Sequence, residues 1–229
     1  MNGLPQPAKR LVICVTAAAS LVFVSVLFNW HSIQPVTFAF WELLATLAGM
    51  VKVRFPGVTS SYSFGYIVVL AAMAMLPFSQ AVVVSMTPAI VQSYWLTSKR
   101  PTGIQVAFNV FGYAISSAAC WYAFHGLQRM TPDLNLPARF MFGAAVFFVI
   151  NSGLVAGILG LVARRAWLDI WENTHLMVFP YYLGGAACAA CVAAQGRVGG
   201  WWCIPLLPVL AILYASMRVW VRKLRVEAP

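Results

Sequence analysis

The feature that most limits this chain is a succession of apolar runs, each near the length of a membrane crossing and parted by short basic or turn-rich links. A helix needs about 20 apolar residues to cross about 30 Å of hydrocarbon. Eight such runs can be drawn, at roughly 11–29, 36–53, 62–77, 80–97, 103–125, 138–162, 174–194 and 200–220. The third and fourth are short and separated only by "LPFSQ", so they are expected to tilt or to form a re-entrant hairpin. The expected fold is all-α: a polytopic transmembrane helical bundle of six to eight spans, with eight favoured. It is expected to be a single integral membrane domain over 1–229, with no soluble domain.

Composition excludes the soluble alternative. Hydrophobic residues make up 62% of the chain and charged residues 9%, against about half and about a quarter in ordinary soluble domains. So few charges could not screen so much apolar surface. The basic excess, 15 Lys and Arg against 5 Asp and Glu, lies in small clusters between the runs. That is how membrane topology is written, and it argues against nucleic acid as a partner.

The clusters also orient the chain. With the N-terminus inside and eight crossings, Lys9, Arg10, Lys52, Arg54, Lys99, Arg100, Arg164, Arg165, Arg218, Arg222, Lys223 and Arg225 fall inside, and Arg129, Arg139 and Arg197 outside. The positive-inside rule requires this asymmetry. Both termini are therefore expected to be cytoplasmic, and removing the third and fourth runs together leaves the parity unchanged. The opening "PAKRLVICVTAAASLVFVSVLF" resembles a signal peptide in charge order, but its apolar run is long, so it reads as a retained first helix. Most tryptophans lie near run ends, where an indole prefers the headgroup region. The link "RRAWLDIWENTH" groups Trp167, Ile170 and Trp171 on one helical face and is expected to lie along the inner surface.

Polar residues inside the runs are the candidate functional positions. Asn109 lies about 9 Å and Asn151 about 16 Å from the inner boundary at about 1.5 Å per residue. An unpaired amide in hydrocarbon costs roughly 2–7 kcal/mol, so each must face protein, water or ligand. Two roles satisfy that cost: interhelical glue, worth about 0.6 kcal/mol on average, or the lining of a ligand cavity. Lying on consecutive antiparallel runs, the two amides could also meet each other. Glu42 is the one carboxylate inside a run; it either marks a functional site or sits in the interface at the run's start.

In "VRFPGVTSSYSFGY", Pro56 and Gly57 end one run, and a hydroxyl-rich stretch containing Ser61 and Ser63 opens the next. Those hydroxyls either cap exposed backbone donors or help hold an anionic ligand at a helix start. Pro77 and Pro88 should break or kink the short pair, Gly65 permits close approach, and "LGGAACAACVAA" offers small residues for tight packing. A pocket near the third to sixth runs is expected, because irregular helices at membrane depth need protein or a cavity beside them.

Nothing points to catalysis. There is no H-E-x-x-H, no G-x-S-x-G and no acidic metal cluster, and His31, His125 and His175 lie on different runs. Five cysteines, all in or beside apolar segments, suit small packing residues better than a disulfide framework. No enzyme activity, metal or cofactor is expected.

The order "KVRFPGVTSSYSFGYIVVLAAMAML", "SKRPTGIQVAFN" and "FFVINSGLVAGILGLVARRAWLDIW" resembles a bacterial multi-pass membrane sensor module found N-terminal to HD-GYP and GGDEF signalling domains. The likeness covers roughly residues 36–220. In general plan it is also similar to the substrate-binding subunits of energy-coupling-factor transporters. The resemblance implies a small-molecule-binding or sensing domain of the bacterial cytoplasmic membrane, with Asn109 and Asn151 at the matching polar positions; Glu42 has no counterpart. The signalling domain is not among these residues, so cyclic-dinucleotide chemistry is not carried over. The expected partners are membrane lipids, an unidentified small molecule and a partner protein. A transport component for a small solute and a structural subunit of a larger complex are the alternatives.

Overall fold

The computed structural model describes residues 4–30, 35–54, 61–95, 97 and 100–194. The run expected at 200–220, the C-terminal basic cluster, Pro56, Gly57 and Arg197 lie outside the described residues.

Helices dominate. They are α1 (Gln6–Phe28), α2 (Pro35–Met50), α3 (Gly65–Met75), α4 (Phe78–Tyr94), α5 (Gly103–Met130), α6 (Leu136–Ala163), α7 (Trp167–Ile170) and α8 (Phe179–Ala194). A π-helical turn (Trp171–His175) and a 3₁₀ turn (Leu176–Val178) join α7 to α8. Every described helix except α7, which lies in the link between two runs, falls within or overlaps one of the apolar runs. α1, α5 and α6 are long and apolar enough to cross a membrane, and the bent pair Trp167–His175 and Phe179–Ala194 makes a fourth if it forms one span. Local chemistry sets several boundaries. Pro5 and Pro77 precede α1 and α4. Thr102 and Gln105 cap each other's backbone at the start of α5, and Asn135 caps α6 through the Ala138 N–H.

The helices alternate in direction, and contacts identify two ends. At one end Leu11 of α1 comes 3.5 Å from where a Cβ on Gly157 would sit, and the Lys52 ammonium donates to the Trp95 carbonyl. Lys9, Arg10, Lys52, Arg54, Arg100, Arg164 and Arg165 belong to segments that begin or finish here; this is the basic end. At the far end the Ser79 hydroxyl donates to the Asn29 carbonyl at 2.7 Å. The Trp121 indole there donates to Leu76 at 3.4 Å, and Arg129 and Arg139 flank the α5–α6 turn.

The short third and fourth runs occupy the middle of the bundle. In α3, Gly65 through Met73 are all buried, enclosed by α2, α4, α5 and α8. At 11 residues it is about 16 Å long, half the hydrocarbon thickness. An antiparallel pair of three-residue strands, β1 (Lys52–Arg54) and β2 (Ser61–Ser63), leads into it, with Val53 opposite Tyr62. α4 continues through Pro88, which lies against α2 and α3: Cβ atoms added at Gly49 and Gly65 would come 3.0 and 2.4 Å from Pro88 atoms. Two glycines thus make the space that the proline ring fills.

The link expected along the inner surface instead runs back along α6. Arg164 ends α6 in the left-handed region (φ 55°), and a Cβ on Gly160 would meet the Arg165 carbonyl at 3.0 Å. The Trp171 indole then donates to Ser152 at 2.8 Å, about 18 Å back along α6 from Arg164. Ile170 is buried while Trp167 remains about half exposed. A donor able to bond Ser152, and the apolar face it carries, draw the segment down onto α6.

Candidate functional site

The side chains singled out by their polarity converge chiefly on one helix, α4. Its sequence "FSQAVVVSMTPAIVQSY" spreads polar groups around the cylinder, and Ser79, Gln80, Ser85 and Ser93 are buried. Such a helix cannot face lipid without heavy cost, which places it between α1, α2, α3 and α5. From there it bonds to several of its neighbours in turn.

Near the basic end two adjacent residues form the densest part of this seam. The Gln92 side-chain carbonyl accepts from Ser63 Oγ at 3.3 Å and from the Tyr113 hydroxyl at 3.4 Å. Ser93 Oγ accepts from Asn109 Nδ2 at 3.5 Å and donates to the Ala89 carbonyl at 2.8 Å. Asn109 is exposed, whereas Ser63 and Ser93 are buried. Tyr113 stands one turn beyond Asn109, its ring edge-on to Phe147 at 5.4 Å. Further along, the Thr87 hydroxyl donates to the Glu42 carboxylate, and Glu42 is half-buried. α4 is therefore tied to α1, α2, β2 and α5 by polar contacts.

Of the five candidates, Ser63 and Asn109 are brought together through Gln92 and Ser93. Glu42 joins the same helix about 7.5 Å away along its axis. Ser61 is positioned by its backbone, opposite Arg54 in the hairpin. Asn151 stands apart: its Oδ1 lies 3.9 Å from where a Cβ on Gly112 would sit, in the α5–α6 contact. Asn109 and Asn151 thus take different partners. Thr87, Gln92, Ser93 and Tyr113 complete the seam. Sequence reasoning missed them because a single hydroxyl or amide in an apolar run is unremarkable until its neighbours are known.

None of the five candidates lines either of two open clefts. One, of about 420 Å³, opens at the far end between Asn29, Phe78, Trp121, Tyr122, His125 and Arg129. There His125 stacks on Trp121 at 4.0 Å and bonds its backbone carbonyl through Nδ1 at 3.0 Å. Because a carbonyl only accepts, that bond puts a proton on Nδ1. The other, of about 440 Å³, is an apolar groove between α6 and α7.

Among the described residues the fold is a helical bundle with three, or up to four, helices long and apolar enough to cross a membrane, packed with the polar-studded α4. No family model, curated protein or solved structure matches the chain.

Proposed function

We propose that the chain is a non-catalytic, multi-pass protein of the bacterial cytoplasmic membrane whose α4 seam binds or senses a small ligand and acts through a partner protein. The observation that carries this reading is the set of polar contacts from one enclosed helix to α1, α2, β2 and α5. Plain helix packing in lipid does not require so many buried polar groups on one helix. A helix held by several weak, exchangeable hydrogen bonds is suited to taking two positions, and a ligand that bonds one set better would shift the balance.

The basic end is assigned to the cytoplasm by the positive-inside rule, which puts the seam's densest part toward the inner leaflet and both termini inside. Six to eight crossings fit the order of elements, with α3 as half of a broken span. The resemblance to sensor modules of signalling proteins agrees with this reading.

Native mass spectrometry of protein taken gently from its own membranes tests it. A small molecule retained by the wild type and lost in Asn109→Leu and Ser63→Ala supports the seam as the site. A retained protein with no small molecule moves the assignment to a structural subunit.

One contact favours transport as a second reading. Glu42 bonded to Thr87 at the α2–α4 contact is the carboxylate a cation-coupled carrier would use. Solute uptake abolished by Glu42→Gln, with the fold intact, would select that reading.

A further inference from the structure

The groove between α6 and α7 is apolar and has one wall held in place. Its floor is Val149, Ile150, Gly153 and Leu154, and its side is Trp167 and Trp171. The bond from the Trp171 indole to Ser152 fixes that side, and Trp167 leans on Trp171 with ring centroids 6.4 Å apart. The floor has room: a Cβ at Gly153 would meet nothing within 4 Å.

Charge and distance indicate the occupant. Arg164 lies eleven positions beyond Gly153, at the end of α6, about 16 Å away, which is the depth of one leaflet's hydrocarbon. Arg164 ends the helix exposed, and it is the one non-glycine residue with positive φ among those described. A glycine would fit that conformation at less cost, so this position holds a guanidinium despite the backbone. Its neighbour Arg165 is paired with Asp169, while Arg164 has no ion pair among the described residues. Lys9 and Arg10, at the start of α1, stand at the same end, where Leu11 approaches Gly157.

We propose that this groove takes an acyl chain of an anionic phospholipid from the leaflet at the basic end, with Arg164 receiving the headgroup phosphate. A flexible apolar tail is long enough to reach from Arg164 to this groove, about one leaflet's depth away, and an arginine at the helix end offers paired N–H donors to a phosphate. The lipid would then bear on the same α6–α7 junction that Ser152 and Trp171 hold closed.

The test is native mass spectrometry of the full chain reconstituted with equimolar phosphatidylglycerol and phosphatidylcholine, followed by detergent release. The expected result is preferential retention of phosphatidylglycerol, falling at least fivefold in Gly153→Leu, which fills the slot, and in Arg164→Asn, which tolerates the left-handed backbone but lacks the charge. Arg129→Gln, at the far end, should leave retention unchanged. An unchanged thermal midpoint establishes that each variant is folded. Retention undiminished in Gly153→Leu, or equal retention of the two lipids, overturns the proposal. So does absence of lipid together with protection of α6 from a membrane-soluble photoprobe, which would mean that another part of the chain or a partner fills the groove.

Discussion

Gly185 lies against the hydroxyl of Tyr66, so close that a Cβ added at Gly185 would sit 1.6 Å from the phenolic oxygen and 2.2 Å from Cζ. Tyr66 is buried at the start of α3, donates to the Tyr181 carbonyl and packs at a tilt against the rings of Tyr181 and Tyr182, with centroids 4.9 and 4.6 Å away. The missing side chain of Gly185 is what lets α8 close on α3.

Adjacent glycines should therefore respond with opposite signs. Gly185→Ala must displace a buried ring and is expected to destabilise by about 1–3 kcal/mol or more. Gly184→Ala meets nothing within 4 Å and should gain about 0.5–1 kcal/mol from helix propensity. Thermal midpoints of the two variants in one detergent decide this; equal losses would mean that α8 is not seated as described.

Thr87→Val keeps the shape of the α2–α4 contact and removes the donor to Glu42. Leaving the half-buried carboxylate without that bond should cost about 1–3 kcal/mol. In Glu42→Gln the side chain can still accept from Thr87, so the loss should be smaller. A double-mutant cycle measured by denaturant or thermal unfolding isolates the pair, and a coupling near zero would show that the bond is not made in solution.

Ser152→Ala deprives the Trp171 indole of its acceptor. The cost should be about 1 kcal/mol, concentrated in the segment that runs back along α6. Faster tryptic cleavage after Arg164 and Arg165, with the rest of the digest unchanged, is the expected result. An unaltered cleavage rate would mean that the apolar contacts of Ile170 and Trp171 hold the segment without the bond.

The proposed orientation makes its own prediction. In a cysteine-free background, Asp133→Cys, in the α5–α6 turn, should react with an impermeant maleimide in intact cells. Thr102→Cys, at the start of α5, should react only after the cytoplasmic side is opened. The reverse pattern would place the basic end outside.

Much of the helical order was legible in the residues. Hydropathy runs in one dimension, and so do prolines, caps and basic clusters; the runs drawn at 103–125 and 138–162 correspond to α5 and α6. Near the short pair legibility falls. The length of α3 was readable, but its complete enclosure was not, because an apolar stretch facing lipid and one facing protein are written alike. Asn109 and Asn151 show the same limit at single residues. Each amide had to be satisfied, yet only packing showed that Ser93 faces one and Gly112 lies beside the other.

By itself, then, the sequence determined that this chain is a bundle of apolar helices, since continuous apolar runs of about 20 residues have the length of a helical crossing and satisfy their backbone hydrogen bonds internally as helices. The tertiary structure decided which helix became the centre. α4 carries polar groups that lipid would penalise, and only a position among four neighbours gives Ser79, Thr87, Gln92 and Ser93 the partners they bond. Shape completed the choice: Gly49 and Gly65 accept Pro88, and Gly185 accepts Tyr66, because close packing rewards only the arrangement in which each missing side chain meets a ring.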